Sequence, residues 1–170
     1  ALLANHDPLT GLANRHALIQ HFEALKMAGA LCVAFIDLDD FKNVNDTFGH
    51  RSGDELLMQL SQRLRETCPP GTIVGRLGGD EFVLLLPFML SDIQVSDAAR
   101  DCLQVALTPF ELNNGTANVG ASIGIEQVLP QDDFVNALVR ADQAMYQIKH
   151  AGKNGAALGA TPLTDFFNGA

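Results

Sequence analysis

Residues Arg76–Pro87 read RLGGDEFVLLLP. Two glycines and two adjacent acids stand directly before an apolar run, so the stretch divides into a turn, Leu77-Gly-Gly-Asp80, and a strand, Glu81 to Leu86. A continuous apolar run of this length fits a strand covered on both faces. A shorter apolar stretch, Ile73 to Arg76, precedes the turn, and glycines between two such runs predict a hairpin. Two acids at the mouth of a buried strand need a reason, and the rest of the chain supplies one.

Upstream, Leu31 to Ile36 (LCVAFI) is another apolar run that stops abruptly at Asp37-Leu-Asp-Asp40. Between it and the hairpin, Leu56, Leu57, Leu60 and Leu64 mark one face of a helix over Ser52 to Thr67, ended by Pro69-Pro70-Gly71. Asn14 is placed to cap a first helix carrying Ala17, Leu18, Phe22 and Leu25, with Gly29 at its end. Downstream, Ser91 opens a helix with Ala98, Ala99, Cys102, Leu103 and Ala106 inside. Phe110–Leu112 and Thr116–Val128 then read as a second hairpin around Asn113-Asn-Gly115. Asp132 or Asp133 caps a last helix carrying Phe134, Leu138, Ala141, Met145 and Ile148, closed by Gly152, before a short strand near Ala156. The order, helix then β-α-β-β-α-β-α, predicts an α/β domain of the α+β sandwich kind, helices packed on a central sheet.

That order has a geometric consequence. Strands joined through a helix usually run parallel, so the strand ending at Ile36 and the strand ending at Arg76 finish at the same sheet edge. With the third strand inserted between them, Asp37 and Asp80 become neighbours.

The chain has 170 residues, 47% hydrophobic and 18% charged, which fits one folded domain. No stretch reaches the roughly 18 consecutive apolar residues of a membrane helix, so the domain is expected to be soluble. Twenty acids against eleven bases give a net charge of -9, the opposite of a nucleic-acid footprint. An acidic chain can still bind a phosphorylated small molecule when divalent cations bridge the two. Cys32, Cys68 and Cys102 have no metal-like spacing and read as buried or half-buried thiols in a reducing cytoplasm. The opening ALLANHDPLT lacks methionine, and a further region is expected upstream.

The acids form two clusters that the topology brings together. Asp37 and Asp39 are expected on opposite faces of their strand end, with the Leu38 carbonyl between them. One carboxylate from this end and one or two from Asp80 and Glu81 offer hard oxygen ligands suited to Mg²⁺ carrying a nucleoside triphosphate, and the glycines leave room for a substrate. Solvated acids at a turn are the plain alternative for either cluster alone. In NVNDTFGHRSGDELL, Asn45, Asp46, His50 and Asp54 offer amide, carboxylate and imidazole groups. A carboxylate can accept from the N1–H and amine of guanine; equally, Asp46 and Ser52 could simply cap helices. Lys149 and Lys153 end the last helix, where cations complement the helix dipole or bind phosphate.

DPLTGLANR, FIDLDDFKNVNDTFGHRSGDELL, RLGGDEFVLL, ASIGI and ADQAMYQIKHAGKNG occur in the order and approximate spacing of the GGDEF domain of diguanylate cyclases, which the chain resembles from about residue 5 to 158. The resemblance implies a mostly antiparallel sheet with a β-α-β-β-α-β core, as in class III nucleotide cyclases and palm domains. It implies one catalytic domain over 1–158, with 1–13 as a joint to an upstream sensory or coiled-coil region and 159–170 as a tail or linker. The implied reaction joins two GTP into cyclic di-GMP and two pyrophosphates between two copies of the domain. Asp37, Leu38 through its carbonyl, and Asp80 match the family's ligands for Mg²⁺, with Mn²⁺ as an alternative. Asp80 matches the acceptor of the 3'-hydroxyl proton, with Glu81 as its helper. Asn45, Asp54 and His50 match guanine and substrate contacts, and Lys42, Lys149 and Lys153 triphosphate contacts, with no nucleic-acid partner. Cytoplasmic placement is implied, whether or not the parent protein is membrane-anchored.

Three positions depart from the family. Lys153 stands where arginine is frequent, keeping charge but losing a planar fork, and Asp40 adds an acid beside the metal ligands. The family's product-binding Arg-x-x-Asp is replaced by Pro69-Pro-Gly-Thr72, so no inhibitory product site is expected there. Besides an active cyclase, two readings compete: a GTP-binding regulatory domain controlling a neighbouring phosphodiesterase or other domain, and a ligand-free interaction domain. The intact Gly-Gly-Asp-Glu-Phe stretch favours the first.

Overall fold

The computed structural model describes residues 4–88 and 91–163. Its elements are α1 (Arg15–Ala28), β1 (Leu31–Asp39), α2 (Phe41–Phe48), α3 (His50–Thr67), β2 (Ile73–Gly78), β3 (Glu81–Pro87), α4 (Asp92–Leu107), β4 (Phe110–Leu112), β5 (Gly115–Ala117), β6 (Gly120–Gln127), α5 (Phe134–His150), β7 (Gly155–Leu158) and β8 (Thr161–Pro162). Local chemistry starts the helices. The side chain of Asn14 accepts from Ala17 N, Ser91 and Gln94 form a reciprocal capping box, and Asp133 accepts from Asn136 N. Asp132, the other candidate cap, instead accepts from Leu129 N and Arg140.

Six strands form one sheet in the order β2-β3-β1-β6-β7-β8, antiparallel except where β6 meets β7. The sheet is therefore mostly antiparallel, as an α+β fold of this type requires. The third strand does insert between the first two, and the register pairs Ile36 with Phe82 and Asp37 with Glu81.

The apolar runs are buried on both sides because helices cover both faces. Cys32, Ala34, Ile36, Leu38, Phe82 and Leu84 pack with α3 and α4, while Leu31, Val33, Phe35, Val83 and Leu85 pack with α1 and α5. Helix α5 lies directly on β6 at Gly124, where an added Cβ would sit 2.0 Å from the Ala141 carbonyl oxygen. No side chain fits between them there, and this contact fixes the height of α5 and of Lys149 at its end.

Two expectations fail. The run Thr116–Val128 is not one strand: β4 and β5 make a separate two-stranded sheet, and β6 starts anew at Gly120 in the main sheet. The Arg63 guanidinium holds β4 away, stacked 3.8 Å from the Phe110 ring centroid and donating to the carbonyls of Val105, Thr108 and Pro109. Neither Asp46 nor Ser52 caps a helix: Asp46 lies within α2 and Ser52 is buried in the first turn of α3. Residues 1–3 of the N-terminal joint and 164–170 of the tail lie outside the described residues, while β8 pairs with β7. Among the described residues, no helix is long and apolar enough to cross a membrane.

Candidate active site

Strand β1 ends beside the Gly78-Gly79 turn, and the Leu38 N–H donates to the Asp80 carbonyl at 3.4 Å. Asp37 is half-buried, with the Asp80 carboxyl close enough to perturb its titration. Burial, and then the Asp80 charge, push its pKa up to about 7, against the opposing pull of Lys149. Glu81 stands directly across from Asp37 and is exposed; its pKa is also raised, by partial burial and then by Asp80 and Asp142. Both glycines have positive φ and nothing within 4 Å of an added Cβ, so the turn is open to a ligand.

Asp37 and Asp39 lie on the same face, not on opposite ones. Alternate residues of a strand must share a face, and the Lys149 ammonium reaches both, 3.5 Å from Asp37 Oδ2 and 3.3 Å from Asp39 Oδ1. It also lies 3.4 Å from the Leu38 carbonyl oxygen.

Asp39, only 2% exposed, accepts three kinds of donor: Ser122 Oγ from β6 at 2.8 Å, the Asn154 main-chain N–H at 2.8 Å, and Lys149. It thereby fixes both the end of α5 and the left-handed turn at Lys153 and Asn154. Lys153 reaches back 2.9 Å to Asp40, so the additional acid of this chain is partnered by the residue that replaces the family's arginine.

The other candidate residues gather on α2 and α3. Asp40 adopts φ 63° at the start of α2 and makes no side-chain cap, so the chain turns from β1 straight into a helix whose first turn exposes Lys42. Asn45 lies across Gly53, where an added Cβ would fall 1.9 Å from the Asn45 Oδ1. His50 and Asp54, one turn apart on α3, are exposed beside it. Asp37 and Leu38 thus touch both Asp80 on one side and Lys149 on the other, with Glu81 and Lys153 at their margin. Lys42, Asn45, His50 and Asp54 form a second group, joined to the first through the β1–α2 turn.

Arg76 links this edge to the N-terminal segment. Its Nη1 lies 3.0 Å from both carboxylate oxygens of Asp7, and its Nε donates to the Gly79 carbonyl at 3.0 Å. Thr10 donates to Asp7 through both its N–H and its hydroxyl. The sequence names Asp39 but on the wrong face, where strand parity was the available signal, and gives no sign of Gly53 and Arg76 as site-shaping residues.

Among the described residues no group of three or more His, Cys, Asp or Glu side chains is arranged to hold a metal ion. The candidate donors are instead two carboxylates and a main-chain carbonyl. They fit a hard divalent cation: all are oxygens, two are acids crowded enough to share a proton, and the Lys149 cation rests against Asp37 and the Leu38 carbonyl.

Comparison with known proteins agrees with this geometry. The family profile "Diguanylate cyclase, GGDEF domain" matches residues 4–155. The chain belongs to the GGDEF diguanylate cyclase family. It is 37% identical over 155 residues to diguanylate cyclase DgcN of Escherichia coli, covering 86% of this chain and 37% of that protein. It is 36% identical over 161 residues to the cyclic di-GMP phosphodiesterase NbdA of Pseudomonas aeruginosa, covering 91% of this chain and 20% of that protein. The chain therefore spans well under half the length of these relatives. A truncated TpbB (YfiN) from P. aeruginosa, comprising only its GGDEF domain, superposes with a TM-score of 0.83 at 34% identity, covering 91% of this chain and 94% of that one. The GGDEF string of this family is Gly78–Phe82, the turn between β2 and β3 with the first two residues of β3.

Proposed function

We propose that the domain is an active diguanylate cyclase, a nucleotidyltransferase that condenses two GTP into cyclic di-GMP with release of two pyrophosphates. The observation that carries this reading is the convergence of Asp37, the Leu38 carbonyl and Asp80, with a lysine cation resting against the first two.

Asp37, Asp80 and the Leu38 carbonyl would hold Mg²⁺ or Mn²⁺, which when bound offsets the triphosphate charge and polarises its P–O bonds. Lys149, Lys153 and Lys42 add positive charge around the phosphates. Asn45 and Asp54 hydrogen-bond the guanine edge, and His50 contacts the same nucleotide. Asp80 accepts the proton of the attacking 3'-hydroxyl, with Glu81 beside it. The new bond joins the 3'-oxygen to the α-phosphorus, and the bond from that phosphorus to the bridging oxygen breaks to release pyrophosphate. Each domain presents one GTP on an open edge, so the 3'-hydroxyl comes from the GTP of a second copy, and two such steps close the ring.

A non-catalytic, GTP-binding regulatory role is the second reading. It draws on the relative named as a phosphodiesterase, of which this chain matches only 20%. Incubating the purified domain at high concentration with GTP and Mg²⁺, then chromatographing the products, separates the two. Cyclic di-GMP that vanishes in Asp80→Ala supports the cyclase; GTP binding with no product, even in a covalently enforced dimer, supports the regulatory role.

A further inference from the structure

Cys68 and Cys102 are remote in sequence, yet their sulfurs lie 3.9 Å apart. Cys68 follows the last residue of α3, in extended conformation before Pro69, and Cys102 lies in α4 on the same side of the sheet. The two positions differ in access. Cys68 is half-buried and lines a cleft of about 330 Å³ with His6, Arg65, Pro69 and Thr72, whereas Cys102 is 2% exposed. A reagent entering the cleft meets Cys68 first, with Cys102 behind it.

The contact also divides the roles. The hydrogen bond between the two thiols lowers the pKa of Cys68, outweighing the burial that opposes it, and favours the thiolate, which is the reactive form. That same bond, and then burial, keep Cys102 protonated well above the ordinary range. Cys32 is buried in β1, where burial and then Asp92 and Glu126 push its thiol up to about 11. It is the unreactive member of the three.

We propose that Cys68 and Cys102 are a peroxide-responsive dithiol, Cys68 being the sulfur that peroxide oxidises and Cys102 the sulfur that resolves it to a disulfide. The Cys68 thiolate attacks one peroxide oxygen, the O–O bond breaks, and the departing hydroxide takes a proton to become water, leaving Cys68 as a sulfenic acid. The Cys102 sulfur then attacks the Cys68 sulfur. The S–S bond forms as the S–O bond breaks, and the thiol proton leaves with the hydroxide as a second water. Two thiols give two electrons and two hydrogens to one peroxide. The sulfurs must close from 3.9 Å to about 2.05 Å, and the extended residue at the end of α3 supplies the movable side.

Such a bond suits the transient disulfides of reducing compartments. It would tie α3 to α4 and enclose β2, the Gly78-Gly79 turn and β3 in the resulting loop. The proposal does not depend on the domain being an active cyclase.

The test treats the reduced full chain with hydrogen peroxide, then unfolds it in denaturant with N-ethylmaleimide so that every remaining thiol is blocked, and maps peptides without reduction. The expected result is a linked Cys68–Cys102 peptide, reversed by dithiothreitol, with Cys32 alkylated. The oxidised protein should melt roughly 5–10 °C higher, the gain a closed loop of this size gives. Cys68→Ser should abolish the link. Cys102→Ser should leave Cys68 as a sulfenic acid trapped by dimedone; if that variant does not fold, the wild-type map and Cys68→Ser decide. Oxidation of Cys32 as fast as Cys68, or conversion of wild-type Cys68 to a sulfinic acid with no linked peptide, overturns the proposal.

Discussion

The Lys149 ammonium lies 3.3 Å from Oδ1 of Asp39, a carboxylate that is 2% exposed and also holds Ser122 and the Asn154 main chain. A buried anion with donors from three elements is a fixed point, and here it fixes the cation beside the candidate metal ligands. Asp39→Asn keeps the shape but turns the charge off and can aim an amide N–H at Lys149. Turnover of GTP should fall about 10- to 100-fold, as expected when a charged group is misplaced by an ångström. Steady-state kinetics with a parallel melting curve checks this; a lower melting point with unchanged kcat would reduce Asp39 to a packing role.

Arg76 joins Asp7 of the N-terminal segment to the Gly79 carbonyl of the Gly78-Gly79 turn. Burial alone would raise the Asp7 pKa, but hydrogen bonds from Thr10 and Arg76 overcome it and hold the group below its ordinary 3.8. A depressed carboxyl stabilises the fold above its unfolded pKa, and this contribution fades as pH falls through the lowered folded value. Arg76→Ala should therefore cost about 1–3 kcal/mol at pH 7 and progressively less as pH falls through the lowered Asp7 value, measured by urea denaturation across an acid pH series. It should also slow turnover, because the turn loses its anchor.

Asp37 shows the opposite sign. Its folded pKa of about 7 exceeds the ordinary 3.8, through burial and then Asp80. The metal-free fold therefore binds this proton more tightly than the unfolded chain, and stability falls as pH rises between those values. Asp37→Asn should raise the melting point of the metal-free protein at pH 8 more than at pH 5, while abolishing cyclic di-GMP synthesis. Because a proton competes with the cation, Mn²⁺ affinity of the native protein should drop up to about tenfold per unit below pH 7. Titration calorimetry across pH 5.5–8 would read this; a flat profile would contradict it.

The legible parts of this molecule were those whose signals are local. The hairpin at Gly78-Gly79, the caps at Asn14 and Ser91 and the amphipathic α3 all follow from residues close in sequence, and handedness and pairing rules then placed Asp37 beside Asp80. Helix α2 was not legible because it buries only Phe41 and Val44 and begins at a left-handed Asp40 with no side-chain cap. The seat of the β4 end of the small hairpin depends on Arg63, remote in sequence on α3. Asp39 shares the face of Asp37, as residues two apart on a strand must, against the expectation of opposite faces, and the Cys68–Cys102 contact arises only when α3 and α4 pack together.

The segment that replaces the family's Arg-x-x-Asp is a tight turn, with Thr72 N donating to the Pro69 carbonyl at 3.1 Å and Gly71 at φ 86°. Pro70 and Gly71 occupy the positions a type II turn favours. The window presents neither a guanidinium nor a carboxylate to a product molecule. Initial rates should therefore be unchanged by added cyclic di-GMP beyond simple competition with GTP; non-competitive inhibition that Pro69→Ala or Thr72→Ala relieves would contradict this.

Gly53 separates stability from function. It lies inside α3, where alanine is favoured over glycine by about 1 kcal/mol, yet an added Cβ would fall 1.9 Å from Asn45 Oδ1. The helix gains from Gly53→Ala what the neighbouring side chain loses, because Asn45 must swing off α3 and away from Asp54. The melting point should stay within a few degrees of wild type, while KM for GTP rises about tenfold or more, the usual scale for a lost polar contact to substrate. Inosine triphosphate lacks the exocyclic amine of guanine and should be affected less if the pair reads that edge. An equal rise for both nucleotides would mean that Asn45 and Asp54 hold some other part of the substrate.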